Sequence, residues 1–271
     1  MFRDLLVHVD GSQAGRRRVQ LAVDLAGRMD ARLSGLHATP PAEVPLKYKP
    51  SRLAEVTAHV SARLALDALA AAAIFSEEAP DACWFEASGD VVLHISDKAR
   101  YADLVILGQY EAQGIPERHP LPIAHSVVLR CGRPVLVVPD VAQPTTLARA
   151  AIAWTGSREA VRAVHDALPL LQLSRSVQIV RIGGPSDNEG DELDAKRLSA
   201  HLTNHGIEVE ANTLSIKVSK KNDVIAKLIE EEHYDLWVMG GYSRPMWRQF
   251  IFGGGTQSVL LSSIIPVFVS H

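Results

Sequence analysis

The sequence predicts an α/β protein of two tandem, doubly wound domains, each built on a five-stranded parallel sheet. Three observations carry that expectation. The chain repeats itself at domain scale, and each copy alternates short apolar runs with helical stripes. Its 271 residues also approach twice the length of a common single domain, about 150 residues.

The repeat is anchored at three places. Leu5-Leu6-Val7-His8-Val9-Asp10-Gly11-Ser12, a strand-like run closing on a turn and a helix-start serine, returns as Ala151-Ile152-Ala153-Trp154-Thr155-Gly156-Ser157. Tyr101-Ala102-Asp103-Leu104-Val105-Ile106-Leu107-Gly108 returns as His233-Tyr234-Asp235-Leu236-Trp237-Val238-Met239-Gly240. Pro134-Val135-Leu136-Val137-Val138 returns as Pro266-Val267-Phe268-Val269-Ser270. The first two anchors lie farther apart in the first copy, which therefore carries an insertion. Pro40, Pro41, Pro45 and Pro50 mark its place, because prolines at that density oppose regular helix; Pro40–Ser51 reads as a surface loop. A short polar linker around position 144 divides the chain into domains 1–143 and 144–271.

In the first copy, strands are predicted near 4–10, 32–38, 82–87, 103–108 and 134–138. Helices run between them from Ser12 to about Met29, Leu53 to Phe75, Val91 to Arg100 and Ile123 to Cys131. Ser12 is an N-cap, followed by the apolar stripe Val19, Leu21, Ala22, Leu25 and Ala26. The second copy repeats the order, with strands near 149–154, 176–182, 207–215, 235–240 and 266–270. Leu104-Val105-Ile106-Leu107 is apolar on both faces, as in a parallel sheet covered on both sides. Asp187–Asp194 reads as an acidic loop leading into a helix, and Ala62–Ala73 as small-residue packing over the sheet.

Composition narrows the function classes. Hydrophobic residues at 47% and charged residues at 22% are too apolar a balance for disorder. A net charge of −3 gives no electrostatic case for nucleic acid. Apolar stretches of about ten residues and the opening Met1-Phe2-Arg3-Asp4 suggest neither a membrane span nor a secretion signal, so a cytoplasmic location is expected. Cys83 and Cys131 cannot build a disulfide scaffold or a metal site and read as reduced, packed thiols.

Ligands of open α/β sheets bind outside the carboxyl ends of the strands. In the second copy that region holds Gly240-Gly241-Tyr242-Ser243-Arg244 and, farther on, Gly253-Gly254-Gly255-Thr256 before a helical run. Glycines let the backbone approach a phosphate and turn successive N–H groups toward it, and a helix starting at Thr256 adds its positive end. The same residues also fit a flexible loop with a threonine cap. Trp154 and Tyr242, at strand ends, suit either stacking on a base or closing the crevice.

The endings Val9-Asp10-Gly11-Ser12, Trp154-Thr155-Gly156-Ser157 and Val238-Met239-Gly240 resemble the universal stress protein family. The resemblance covers essentially the whole chain as a tandem, Rossmann-like pair. It implies a stress-response protein that binds ATP, ADP, AMP or a related nucleotide. It also implies pairing through the last strands, here 134–138 against 266–270 as an internal pseudo-dimer, with a homodimer a further option. The family's nucleotide-binding loop, G-x2-G-x9-G-[S/T], reads here Gly240-x2-Ser243-x9-Gly253-Gly254. Nucleotide-binding candidates are thus Thr155, Met239, Gly240, Tyr242, Ser243, Gly253, Gly254, Gly255 and Thr256, with Arg244 or Arg248 near the phosphates. The first copy offers Asp10, the family's base-contacting acid, and Gly108, but Pro120-Leu121-Pro122 stands where its phosphate loop would be, and proline has no N–H to donate. The second copy keeps the loop and has Thr155 in place of the acid. A scaffold with degenerate sites is the alternative.

Other motifs give little. Gly253–Ser258 lacks the last glycine of a dinucleotide fingerprint, and there is no P-loop. Gly241-Tyr242-Ser243-Arg244-Pro245 approaches a nucleophile elbow but ends in proline. His119 and His125 lack further ligands, and His8 and His37 read as structural or pocket-lining residues on strands. No catalytic set and no metal site are identified, and slow ATP hydrolysis is the most that is expected.

Overall fold

The computed structural model describes residues 1–42, 50–109, 123–140, 146–183, 189–211, 213–217, 225, 227–229, 231–241, 259–260 and 263–271. Their contacts divide the chain into two compact units, Phe2–Arg133 and Pro134–His271, with Met1 joined to the second.

The first unit runs β1 (Asp4–His8), α1 (Gln13–Met29), β2 (Arg32–Thr39), α2 (Pro50–Glu78), β3 (Cys83–Ser88), α3 (Val91–Ala99), β4 (Leu104–Gly108) and α4 (Ile123–Cys131). Its sheet order is β3-β2-β1-β4, and every pair is parallel. The central strands are enclosed from both sides: Leu104, Val105, Ile106 and Leu107 are all 0% exposed. Ser12 caps α1 by accepting the Gly15 N–H at 2.9 Å. The helix stops at Asp30, whose backbone is left-handed (φ 52°).

Helix α2 begins at Pro50, inside the segment expected to be loop. Proline's missing N–H is no loss in a helix's first turn, and its fixed φ suits that position. Its inner face buries Val60, Ala71, Ile74 and Phe75, with Phe75 stacked on Trp84 at 5.1 Å between ring centroids. The alanine-rich stretch expected to cover the sheet is only partly inward: Ala62, Ala65 and Ala73 are exposed. By length and composition residues 52–78 are long and apolar enough to cross a membrane; here the helix packs on α1 and β2. Cys83 is exposed at the start of β3, against the expectation of a packed thiol, because β3 is the edge strand. Cys131 is buried, and burial pushes its thiol pKa up.

The second unit comprises β5 (Val135–Val138), β6 (Arg149–Trp154), α5 (Arg158–Leu171), β7 (Ser176–Gly183), α6 (Glu189–Asn204), β8 (Leu214–Lys217), β9 (Leu236–Gly240) and β10 (Val267–Ser270). Its strand order is β5-β10-β9-β6-β7-β8. The run β8-β7-β6-β9 repeats β3-β2-β1-β4 of the first unit. Strand β5, last of the first repeat, lies antiparallel to β10 with Leu136 opposite Phe268, the pairing that the family resemblance implied. The strand expected over 207–215 instead forms at Leu214–Lys217, preceded by a single bridge between Val177 and Val209. Helix α6 starts at Glu189, within the segment expected to be an acidic loop; acidic residues suit a helix N-terminus.

The repeated aspartate has the same task in both units. Asp103 Oδ2 accepts the backbone N–H groups of Arg3 and Asp4 at 2.7 and 3.1 Å. Asp235 accepts those of Ala148 and Arg149 at 2.9 and 2.8 Å. Each carboxylate ties the start of one central strand to its parallel neighbour, satisfying donors that the sheet ladder leaves open.

Candidate functional site

In the first unit the carboxyl ends of β1 and β4 are closed by a buried ion pair. Asp10, two residues past β1, is 3% exposed. Its Oδ1 accepts the Ser12 N–H at 2.9 Å and also the Ser12 hydroxyl. Its Oδ2 accepts Arg18 Nη2 at 3.0 Å. Arg18, 1% exposed, donates its other terminal nitrogen to the His8 carbonyl at 2.7 Å. The guanidinium rests on Gly108: a Cβ there would meet Nη2 at 2.4 Å and Cζ at 2.8 Å. The structure therefore brings Asp10 and Gly108 together, with Arg18 against both.

The electrostatics follow from that burial. Desolvation pushes the Asp10 carboxyl up, yet Arg18 and the Ser12 hydroxyl outweigh it and hold the pKa at about 2. Burial, with the Arg18 charge beside it, lowers His8 to about 3 against the pull of Asp10. His37 Nδ1 lies 2.9 Å from the Val9 carbonyl, which gives this histidine a structural role. Asp67 of α2 accepts the Gly11 N–H at 2.9 Å, and burial raises its pKa.

Arg18 is the residue that sequence reasoning misses. The signal was a charged residue inside the buried stripe of α1, which otherwise holds Gly15, Val19, Ala22, Leu25, Ala26 and Met29.

The second unit lacks this closure. With Ser12 set on Ser157, Asp10 falls on Thr155 and Arg18 falls on Ala163, so both members of the ion pair are replaced together. Thr155 is exposed and donates its hydroxyl to Ser157 Oγ at 3.1 Å. Ser157 caps α5 by accepting the Ala160 N–H at 3.2 Å. Met239 and Gly240, both half-buried, end β9 beside β6, where Met239 pairs with Ala153. Thr155, Met239 and Gly240 thus share one end of two adjacent strands. Gly240 is also required by packing, because a Cβ would meet the Glu159 carbonyl carbon at 2.5 Å and Ala160 N at 2.6 Å.

Trp154 is 8% exposed and donates Nε1–H to Asp194 Oδ2 of α6 at 2.7 Å. Beside it lies a groove of about 220 Å³ lined by Val161, Val164 and Leu198, with the His165 and His201 rings 5.1 Å apart. Tyr242, Ser243, Gly253, Gly254, Gly255 and Thr256 lie outside the described residues, as do Arg244, Arg248 and Pro120–Pro122.

Comparison with known proteins fits this architecture. The model of the universal stress protein family matches twice, at residues 1–139 and 144–271. A universal stress protein from Archaeoglobus fulgidus superposes with a TM-score of 0.66 at 16% identity, covering 98% of this chain and 96% of that one. A functionally unknown protein from Pseudomonas aeruginosa gives a TM-score of 0.59 at 15% identity, covering 99% and 92%. These likenesses show a shared fold. No curated protein matches the sequence. Two family matches in tandem, on two units with the same strand order, place this chain in the universal stress protein family.

Proposed function

We propose that this chain is a cytoplasmic stress-response protein that binds an adenine nucleotide (ATP, ADP or AMP) in its second repeat, 144–271. The single observation that carries the reading is the contrast between Asp10 and Thr155. Asp10 is enclosed by Arg18 and Ser12, whereas Thr155 is exposed at the end of β6 beside Met239 and Gly240. The second repeat also holds the glycine run Gly253–Gly255 and Thr256, whose backbone N–H groups suit phosphate. In this reading Thr155, Met239 and Tyr242 meet the base and ribose, and Gly240, Ser243, Gly253, Gly254, Gly255 and Thr256 hold the phosphates. No hydrolytic chemistry is assigned to these residues.

A ligand of the native state raises its stability by mass action. Millimolar ATP, ADP or AMP should raise the melting temperature, and Gly253→Asp should abolish the rise by setting a carboxylate against the phosphates. Absence of any shift with all three nucleotides would refute the reading. One observation favours the alternative, a pairing scaffold without a ligand: contact with Glu159 and Ala160 is enough to require glycine at position 240. Under that alternative, gently purified protein carries no nucleotide by mass spectrometry.

A further inference from the structure

We infer that the outer face of α2 is a self-association surface, on which a second copy of this chain packs its own α2 antiparallel across a two-fold axis. The helix has two apolar faces and uses only one. Val60, Ala71, Ile74 and Phe75 point into the unit, whereas Leu66 and Leu69 are 65% and 69% exposed. At about 3.6 residues per turn, Ala58, Ala62, Ala65, Leu66, Leu69 and Ala73 fall on the face opposite the buried stripe. All six are exposed, and they run without interruption over about four turns. A continuous apolar strip of this kind marks an interface rather than ordinary surface.

The identity of the occupant follows from the order of the residues. Laid antiparallel on a copy of itself, the strip sets Ala58 against Ala73, Ala62 against Leu69 and Ala65 against Leu66, all in one register. Each leucine then faces an alanine, so large fits small from both sides, as a two-fold interface demands. The same register carries Arg52 of one copy toward Glu77 of the other. Glu77 remains 66% exposed although it pairs with Arg16. Charge also weighs against a lipid surface: α2 carries Glu55, Asp67, Glu77 and Glu78 with only two arginines and no lysine, unlike the basic rim of a membrane-binding helix.

Sedimentation velocity of the full chain, from micromolar to hundreds of micromolar, should show a monomer–dimer equilibrium. The double variant Leu66→Glu/Leu69→Glu should raise its dissociation constant roughly tenfold or more, with the melting temperature of the dilute protein unchanged. In a Cys83→Ser background, Ala62→Cys/Leu69→Cys should give a disulfide-linked dimer on oxidation, and Ala58→Cys/Ala62→Cys should not. A wild-type chain that stays monomeric, or a glutamate variant that dimerises like wild type, would overturn the inference. So would failure of the 62/69 pair to cross-link. Co-flotation with phosphatidylglycerol vesicles, lost in the glutamate variant and without any dimer in solution, would assign the face to membrane instead.

Discussion

Arg18 Nη2 lies 3.0 Å from Asp10 Oδ2, with the two side chains 2% and 4% exposed. That pair fills the space between the ends of β1 and β4. The carboxylate already has a partner on each oxygen, and the glycine that ends the neighbouring strand is covered by the guanidinium. The second repeat replaces both residues, Asp10 by Thr155 and Arg18 by Ala163, and leaves Thr155 exposed at the end of β6, with Gly240 half-buried beside it.

Removing one member of a buried ion pair strands the other charge, which costs about 3–5 kcal/mol. Arg18→Ala should therefore destabilise the first unit by that amount in urea unfolding. The double variant Asp10→Thr/Arg18→Ala, which copies the second repeat, should recover most of the loss. Equal losses in the single and double variants would mean that packing of the arginine stem, rather than its charge, matters at this site.

The same cluster makes stability depend on pH. His8 is held at about 3 by burial and then by Arg18, against 6.5 for a free histidine. Between those values the unfolded chain takes up a proton that the folded chain refuses. Stability should therefore fall as pH drops from 6.5 toward 3, by up to about 1.4 kcal/mol per pH unit. Asp10 adds a second loss lower down. Its folded value of about 2 lies below the ordinary 3.8, so its contribution is complete above 3.8 and disappears as pH falls through 2. His8→Gln should flatten the first slope and leave the second. Urea midpoints across the range check this, and an unchanged slope in His8→Gln would place the titration elsewhere.

The glycines that end the two equivalent strands should respond differently. Gly240→Ala drives a Cβ into the backbone of Glu159 and Ala160, which cannot swing away, and should cost about 1–3 kcal/mol. Gly108→Ala meets the end of a side chain, so its cost should shrink in an Arg18→Ala background, a coupling that a double-mutant cycle measures. Gly27, in α1 with nothing within 4 Å of an added Cβ, offers the opposite sign. Gly27→Ala should stabilise by about 0.5–1 kcal/mol.

Much of the fold was legible because local pattern and tertiary role agree in it. The apolar run Leu104–Leu107 is a strand buried on both faces, and Ser12 and Ser157 cap helices as their chemistry suggests. The motif Asp103/Asp235 was visible as a repeat, but its task was not, because it depends on strand starts brought together only by folding. The closed state of the first site was hidden for a similar reason. Asp10 fits a ligand contact by family likeness, and only the path of Arg18 back across the helix reveals its partner. The outer face of α2 was misread as packing because alanine is equally at home on a buried and an exposed stripe; periodicity alone does not say which stripe faces the sheet.

Arg149, at the start of β6, tests how far a part-exposed ion network supports the second unit. Its Nε and Nη2 reach the two oxygens of Glu210 at 2.8 and 3.0 Å, and Nη2 also reaches Glu232 at 3.3 Å. The guanidinium lies 4.9 Å from the ring centroid of Tyr234, whose hydroxyl is pushed up to about 12, chiefly by burial. Lysine keeps the charge but not the planar fork, so it cannot hold Glu210 with two parallel bonds and stack on the ring together. Arg149→Lys should therefore cost about 1–2 kcal/mol in urea unfolding. Arg162→Lys, at a surface pair 3.6 Å from Asp166, should stay within about 0.5 kcal/mol of wild type. If both substitutions cost the same, the fork geometry at Arg149 contributes nothing beyond its charge.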